Sequence, residues 1–274
     1  MILNQANYYS KEADMEYMSA SQFKNFKRCE AAAMAELRDE YALDESTALL
    51  VGGYVDAHFE GTLDVYRAQH PEIFKKDGTL KSDFVKADEI IARAERDELF
   101  MLLMSGKKQV IVTGKIAGVP FKGKIDSLLD ADACREMVRR FPETAPVVGF
   151  GDGMIVDLKC MKDMHRVWSD DEHSYVSFVD AWGYDYQGAI YQKLEGHALP
   201  FVLAVTTKET EPNLEAISLS GDDLDLALSD VEELAPRYAA IKRGEIEPER
   251  CEKCPYCIAT KKLRRIIDLT ELEV

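Results

Sequence analysis

Residues 152–159 place the strongest constraint on how this chain can fold. They read as a β-strand with an apolar body that ends in Val156-Asp157-Leu158-Lys159. Successive side chains on a strand point to opposite faces, so Ile155, Asp157 and Lys159 share one face and Val156 and Leu158 the other. Leu158 can anchor the strand in a core while Asp157 and Lys159 project together into one site. Two charges in alternation at the end of an apolar strand need a reason, because an unpaired charge is costly to bury.

The segments around this strand supply a context. Residues 109–116 and 119–129 are two β-rich stretches joined at Ala117-Gly118, the pattern of a hairpin. Asp126 lies near the end of the second. Two carboxylates from neighbouring strands can hold a Mg²⁺ or Mn²⁺ ion through oxygen ligands and leave positions for water and phosphate. Such an ion polarises a phosphate and lowers the pKa of a bound water, and Lys159 would orient that water or stabilise developing charge. By itself an Asp-x-Lys triplet is nearly a chance event in a chain with 50 acidic and 34 basic residues. The order of the surrounding pieces carries the weight.

Helical patterns precede the hairpin, over residues 18–41, 46–66 and 82–104. Residues 130–151 read as an insertion, helical around 134–141. A long helical stretch rich in aromatics covers 173–197, where Trp182, Tyr184 and Tyr186 are expected to be core. Strands follow at 201–207 and 216–219, then a helix at 221–243 and a cysteine-rich, basic tail. The expectation is one domain over the 274 residues, divided into a helical part (18–104), a catalytic core (105–243) and a tail (244–274).

A hydrophobic share of 46% and a charged share of 31% fit a soluble globular protein. Apolar runs are too short to span a bilayer, and residues 1–14 show no basic-then-apolar leader, so a cytoplasmic location without membrane contact is expected. A net charge of −16 argues against coating nucleic acid by charge alone. It leaves room for a local basic channel. Lys107, Lys108, Lys115, Lys122 and Lys124 lie on or near the hairpin, and Lys162, His165 and Arg166 follow the Asp157 strand. Lys261, Lys262, Arg264 and Arg265 form a C-terminal run that could equally be a solvated face. The acidic stretch Asp170-Asp171-Glu172 would face away from DNA.

Six cysteines in a cytoplasmic chain do not read as a disulfide framework. Cys251-x-x-Cys254-x-x-Cys257 sets three thiols within seven residues, a spacing that lets sulfurs share one metal if a fourth ligand joins them. Cys134 and Cys160 read as small hydrophobes.

Gly123-Lys124-Ile125-Asp126, then Val156-Asp157-Leu158-Lys159, then Gln187-x-x-x-Tyr191 resemble the successive signatures of the RecB-type branch of PD-(D/E)xK nucleases. Residues 18–29 are similar to that branch's opening segment, and the resemblance spans about residues 18–260. It implies an α/β fold with a restriction-endonuclease-like αβββαβ core, a mixed central sheet flanked by helices. Asp126, Asp157 and the Leu158 carbonyl would be metal ligands, and His58 would complete the shell. Asp56 and Glu60 are the acidic alternatives to His58, Glu60 ahead of Asp56. Lys159 would be the catalytic lysine. Gln187 and Tyr191 would position DNA and that lysine; their i, i+4 spacing puts both on one helix face.

Within the branch the chain looks most like the RecE-like exonucleases that phages and prophages encode beside a single-strand annealing protein. That implies hydrolysis of linear double-stranded DNA, 5′ to 3′, in recombination, by a homo-oligomer with the annealing protein as partner. The competing readings are a nuclease for single-stranded or flapped DNA with an iron–sulfur cluster, and a non-catalytic DNA-binding or assembly module. Some RecB-type nucleases hold a [4Fe–4S] cluster with one cysteine near the N-terminus and three near the C-terminus. By that resemblance Cys29 would join Cys251, Cys254 and Cys257 around a [4Fe–4S] cluster or zinc. The last two cysteines here stand closer together than the family's usual spacing.

Overall fold

The computed structural model describes residues 1–41, 46–149, 151–169, 172–263, 265–268 and 270. Asp170, Asp171 and Arg264 lie outside the described residues. The chain enters through α1 (Lys11–Glu16), β1 (Met18–Ser19), α2 (Ala20–Arg28) and α3 (Glu30–Leu37). Helices α4 (Thr47–Glu60), α5 (Leu63–Gln69), α6 (Ser82–Glu95) and α7 (Glu98–Leu103) lead to the hairpin β2 (Lys107–Ile116) and β3 (Val119–Asp130). Then come α8 (Ala131–Arg140), α9 (Ala145–Val148), β4 (Gly153–Met161) and a small ribbon, β5 (Val167–Ser169) with β6 (Ser174–Val176). Helices α10 (Phe178–Trp182) and α11 (Tyr184–Glu195), strands β7 (Phe201–Thr207) and β8 (Leu214–Ser218), and helices α12 (Gly221–Lys242) and α13 (Pro255–Ala259) complete it.

Three expected helices are broken, each by a local cause. Cys29 is extended (φ −166°, ψ 107°) and divides residues 18–41 into α2 and α3. Gly61 takes a left-handed conformation that ends α4. Asp97 caps a new start by accepting the Phe100 amide, which separates α7 from α6. The stretch 173–197 likewise divides into β6, α10 and α11, with Ser177 capping α10. The expected insertion carries α8. Cys134 and Met137 are buried in one cluster with Leu129, Met154 and Val156, so α8 is part of the core.

The sheet runs β1-β3-β4-β7-β8, with β2 paired to the other edge of β3. The hairpin turn has positive φ at both Ala117 and Gly118, which matches the right-handed twist of its strands. Strands β4 and β7 are parallel, and the chain crosses between them through α10 and α11. One apolar cluster packs α2, α11 and α12 on the sheet face that carries Ile125, Ile155 and Leu203. A second packs α4, α6, α7 and α8 on the face that carries Val156, Leu158 and Val202. No described helix is long and apolar enough to cross a membrane.

The edge of β3 toward β4 is shared. Phe121 and Lys122 pair with β1, and Ser127 to Asp130 pair with β4. Between them, residues 123–126 have no strand partner on that edge among the described residues. The sheet splits there, and the split opens onto a cavity of about 660 Å³.

Candidate active site

Asp126 stands at the split. Strand β4 diverges from β3 beyond Val156, which would leave the Leu158 amide without a ladder partner. Asp126 Oδ2 accepts that amide at 2.9 Å, and Gln109 Nε2 donates to its Oδ1 at 3.3 Å. Asp126 lies beside Asp56 and Glu60 of α4, while Asp157 is bonded to Gln187 of α11. Both carboxylates reach one cavity at the split.

Asp157 is buried, and Gln187 Nε2 donates to its Oδ1 at 2.6 Å. The same amide approaches the Tyr191 hydroxyl at 3.2 Å. Tyr191 lies flat enough on β3 that a Cβ at Gly123 would come within 2.9 Å of its ring, so the glycine of the Gly-Lys-Ile-Asp segment makes room for the tyrosine. Asp157 Oδ2 accepts no hydrogen bond of ordinary geometry from the described residues; Lys159 Nζ lies 2.5 Å from it.

The cavity is overloaded with negative charge. Burial, then Asp157, pushes the Asp126 carboxyl up to about 7. Burial, then Asp126, raises Asp56 well above the usual carboxylate range. Burial also raises Glu60. Burial works against the charge of Lys159, but Asp157 and Asp126 outweigh it and hold the ammonium above its ordinary value. Burial, followed by Asp157 and Asp126, raises Tyr191. A group of buried carboxylates that cannot all ionise fits a hard divalent cation with oxygen ligands.

The structure thus brings Asp126, Asp157, Leu158, Lys159, Gln187 and Tyr191 to one cavity. It does not bring His58 there. The His58 ring contacts Glu95 on α6 at 2.9 Å, whereas Asp56 and Glu60, one turn apart on α4, line the cavity. The two carboxylates at i, i+4 in an otherwise apolar helix were the readable signal.

Several contributors escaped the sequence reading. Tyr8 and Tyr9 line the cavity from the N-terminal segment, with Lys124 Nζ 4.8 Å from the Tyr9 ring centroid. Lys24 of α2 and Lys159 of β4 lie over the ring of Tyr184, at 5.3 and 5.1 Å. Burial and Lys159 lower Lys24 to about 8. Trp182 is half exposed, contrary to its expected place in the core, while Tyr184 and Tyr186 do pack against it.

Lys122 is no surface cation. It is buried, 2.7 Å from Asp14 Oδ1 and 2.5 Å from the Tyr8 carbonyl, and so fastens the N-terminal segment to β3. Lys107, Lys115, Lys162, His165 and Arg166 are exposed. Lys108 is bonded to the Met104 carbonyl.

Outside the cavity lining, Cys29, Cys251, Cys254 and Cys257 converge, their sulfurs all within 4.8 Å of one another. Cys134 is buried in the core and Cys160 packs against it.

A split mixed sheet between two helical layers, with two acidic strands and a lysine at the split, defines a nuclease of the PD-(D/E)xK class. The chain belongs to the family described as "PDDEXK-like domain of unknown function (DUF3799)", whose model matches residues 19–134 and 150–260. It is also similar to a crystal structure from Eubacterium rectale named "Putative exonuclease", at 42% identity and a TM-score of 0.85, over 99% of this chain and 98% of that one. No curated protein matches the chain in sequence.

Proposed function

We propose that the protein is a divalent-metal-dependent exonuclease that hydrolyses phosphodiester bonds of linear double-stranded DNA from its ends. The observation that carries this reading is the meeting of Asp126, Asp157 and Lys159 at the split, with Lys159 Nζ 2.5 Å from Asp157 Oδ2. The name of the Eubacterium rectale structure supports attack at ends. Action 5′ to 3′, in phage-type recombination, as a homo-oligomer beside a single-strand annealing protein, follows from the resemblance to RecE-like enzymes.

Asp126, Asp157 and the Leu158 carbonyl would hold Mg²⁺ or Mn²⁺, with Asp56 or Glu60 in the place first expected for His58. The ion supplies Lewis acidity to the phosphate and to the attacking water. The chain's own groups do the positioning. Gln187 holds Asp157 through Oδ1, and the Leu158 amide holds Asp126. Lys159, charged beside them, stabilises the negative charge that grows on the phosphate. Lys24 and Lys124 offer cations to the neighbouring phosphates, contacts that are independent of sequence and sensitive to salt.

The test is to incubate the protein with end-labelled linear duplex and with covalently closed circular DNA, with and without Mg²⁺ or Mn²⁺, beside Lys159→Ala. Metal-dependent loss of the linear duplex alone, abolished in the variant, is expected. Cleavage of the closed circle, or equal activity in the variant, would sink the reading. Attack on single-stranded or flapped DNA in preference to duplex would replace it with the flap-nuclease reading.

A further inference from the structure

We propose that Cys29, Cys251, Cys254 and Cys257 bind one tetrahedral zinc ion, and that a four-iron cluster does not fit them.

Thiolates lie about 2.3 Å from zinc, so the edge of a tetrahedron of sulfurs around one ion is about 3.8 Å. Here Cys29 Sγ is 3.6 Å from Cys257 Sγ, Cys251 Sγ is 3.9 Å from Cys257 Sγ, and no pair exceeds 4.8 Å. In a four-iron cluster each thiolate binds its own iron and points outward from the cluster body, so the sulfur edge exceeds that of a shared ion by the full iron–iron separation. Such a body has to enter between the sulfurs and drive every pair apart.

The surrounding framework resists that expansion. Cys29 occupies the extended break between α2 and α3, and Cys29 and Cys257 are buried with Ala31. The Ala31 amide donates to the Glu249 carbonyl at 3.0 Å. Glu30 takes Arg237 through both carboxylate oxygens, at 2.6 and 2.9 Å, and the Glu249 amide at 2.7 Å. These bonds fix the start of the tail against α3 through groups that are not thiols.

The short spacing of the tail serves the same end. Glu252 has a positive φ, which turns the chain sharply inside the first Cys-x-x-Cys. The Cys254 amide then donates to Cys251 Sγ at 3.3 Å and the Cys257 amide to Cys254 Sγ at 3.4 Å. Amide donors compensate thiolate charge, and two consecutive Cys-x-x-Cys turns hold three sulfurs close. A closed set of four thiols leaves no coordination position for substrate, so the ion is structural. It ties the α2–α3 junction, whose α2 residues Ser21, Gln22 and Asn25 line the catalytic cavity, to the tail.

The test uses the whole chain, expressed with both iron and zinc in supply and purified without oxygen. About one zinc per chain and no absorption band near 400 nm is the expected result. Iron with acid-labile sulfide and such a band would overturn the proposal, and so would absence of both metals. Cys29→Ser should lose the zinc; in case that variant misfolds, exchange of cobalt into the intact protein should give the visible spectrum of a tetrahedral thiolate site. Zinc retained at full occupancy in Cys29→Ser would also refute it. Asp157→Asn should keep the zinc in full, which separates this outcome from that of the nuclease reading.

Discussion

The molecule gathers metal-type donors in two places, and the two are built in opposite ways. At the sheet split the donors are hard oxygens on rigid strands and a helix, held apart by side-chain bonds and open to a cavity of about 660 Å³. At the tail they are soft sulfurs on a helix break and a turn, collapsed to within 4.8 Å. The first site crowds buried carboxylates that are pushed toward protonation, with Lys159 paired to Asp157 beside them. The second gives backbone amides to two of its sulfurs, Cys251 Sγ and Cys254 Sγ. An open, over-charged site suits chemistry, and a closed, saturated one suits holding the chain together.

If that contrast holds, the largest effect of any single change lies at the split and leaves stability untouched. Asp157→Asn and Lys159→Ala should each lower nuclease activity by roughly a thousandfold or more, the scale expected when a group that stabilises transition-state charge is removed. Asp157→Asn should unfold at the same temperature as the parent, or a higher one, in metal-free buffer, because it removes a buried negative charge from a crowded set. Activity within tenfold of the parent would break the comparison at its stronger end.

Next comes the sulfur site, where the effect should fall on stability. Cys29 and Cys257 are 228 residues apart, so the link closes most of the chain into a loop. Cys29→Ser should lose about 2–4 kcal/mol, by analogy with cross-links that close long loops. Its activity per folded molecule should stay within a few-fold of the parent in the cold. Denaturant titration beside DNA hydrolysis measures both. A variant as stable as the parent, or one folded but inactive, would show that the two sites are not divided in this way.

The unequal legibility of the two sites has a physical basis. The cysteine site could be read almost whole, because Cys-x-x-Cys is rare and three of its ligands are adjacent in sequence. The strand placement of Asp157 and Lys159 could be read from alternation, which has a strict period of two. What could not be read were features set by tertiary geometry. The partnerless edge of β3 depends on β1 and β4 sharing that edge, and nothing in residues 123–126 announces it. Lys122 looks like any hairpin lysine until the N-terminal segment folds across it. Lys24 comes beside Lys159 only because both lie over the ring of Tyr184.

A smaller effect follows from the crowding of carboxylates. The folded Asp126 carboxyl sits at about 7, above its ordinary value of 3.8, because of burial and then Asp157. A carboxyl raised in the folded state favours the protonated fold. Its contribution is fully present below about pH 4 and is lost as pH rises through 7. The metal-free parent should therefore lose stability relative to Asp126→Asn over that window, by on the order of 1–3 kcal/mol, with neighbouring carboxyls sharing the titration. Saturating Mg²⁺ should restore the parent and not the variant. Melting temperatures from pH 4 to 8 that run parallel for the two proteins would show that the split is not strained by charge. The sulfur site, by contrast, should run the other way and lose stability as pH falls, because protons compete with zinc for the thiolates.

The smallest effect sharpens the boundary of the open site. His58 follows Asp56 by two residues on α4 and precedes Glu60 by two, so it stands about 200° around the helix from each. Asp56 and Glu60 share the face that lines the cavity, while His58 meets Glu95 on α6, where both side chains are partly exposed. An exposed pair of this kind contributes at most about 1 kcal/mol. His58→Ala should leave DNA hydrolysis and its Mg²⁺ dependence within about twofold of the parent, whereas Asp56→Asn should raise the Mg²⁺ concentration needed for half-maximal rate by about tenfold or more, since it removes an oxygen ligand or its charge. The pair of titrations decides which residue on α4 serves the metal. A tenfold loss in His58→Ala with Asp56→Asn unaffected would mean that α4 turns through roughly half a revolution when the metal binds, and that the open site is assembled only in its loaded state.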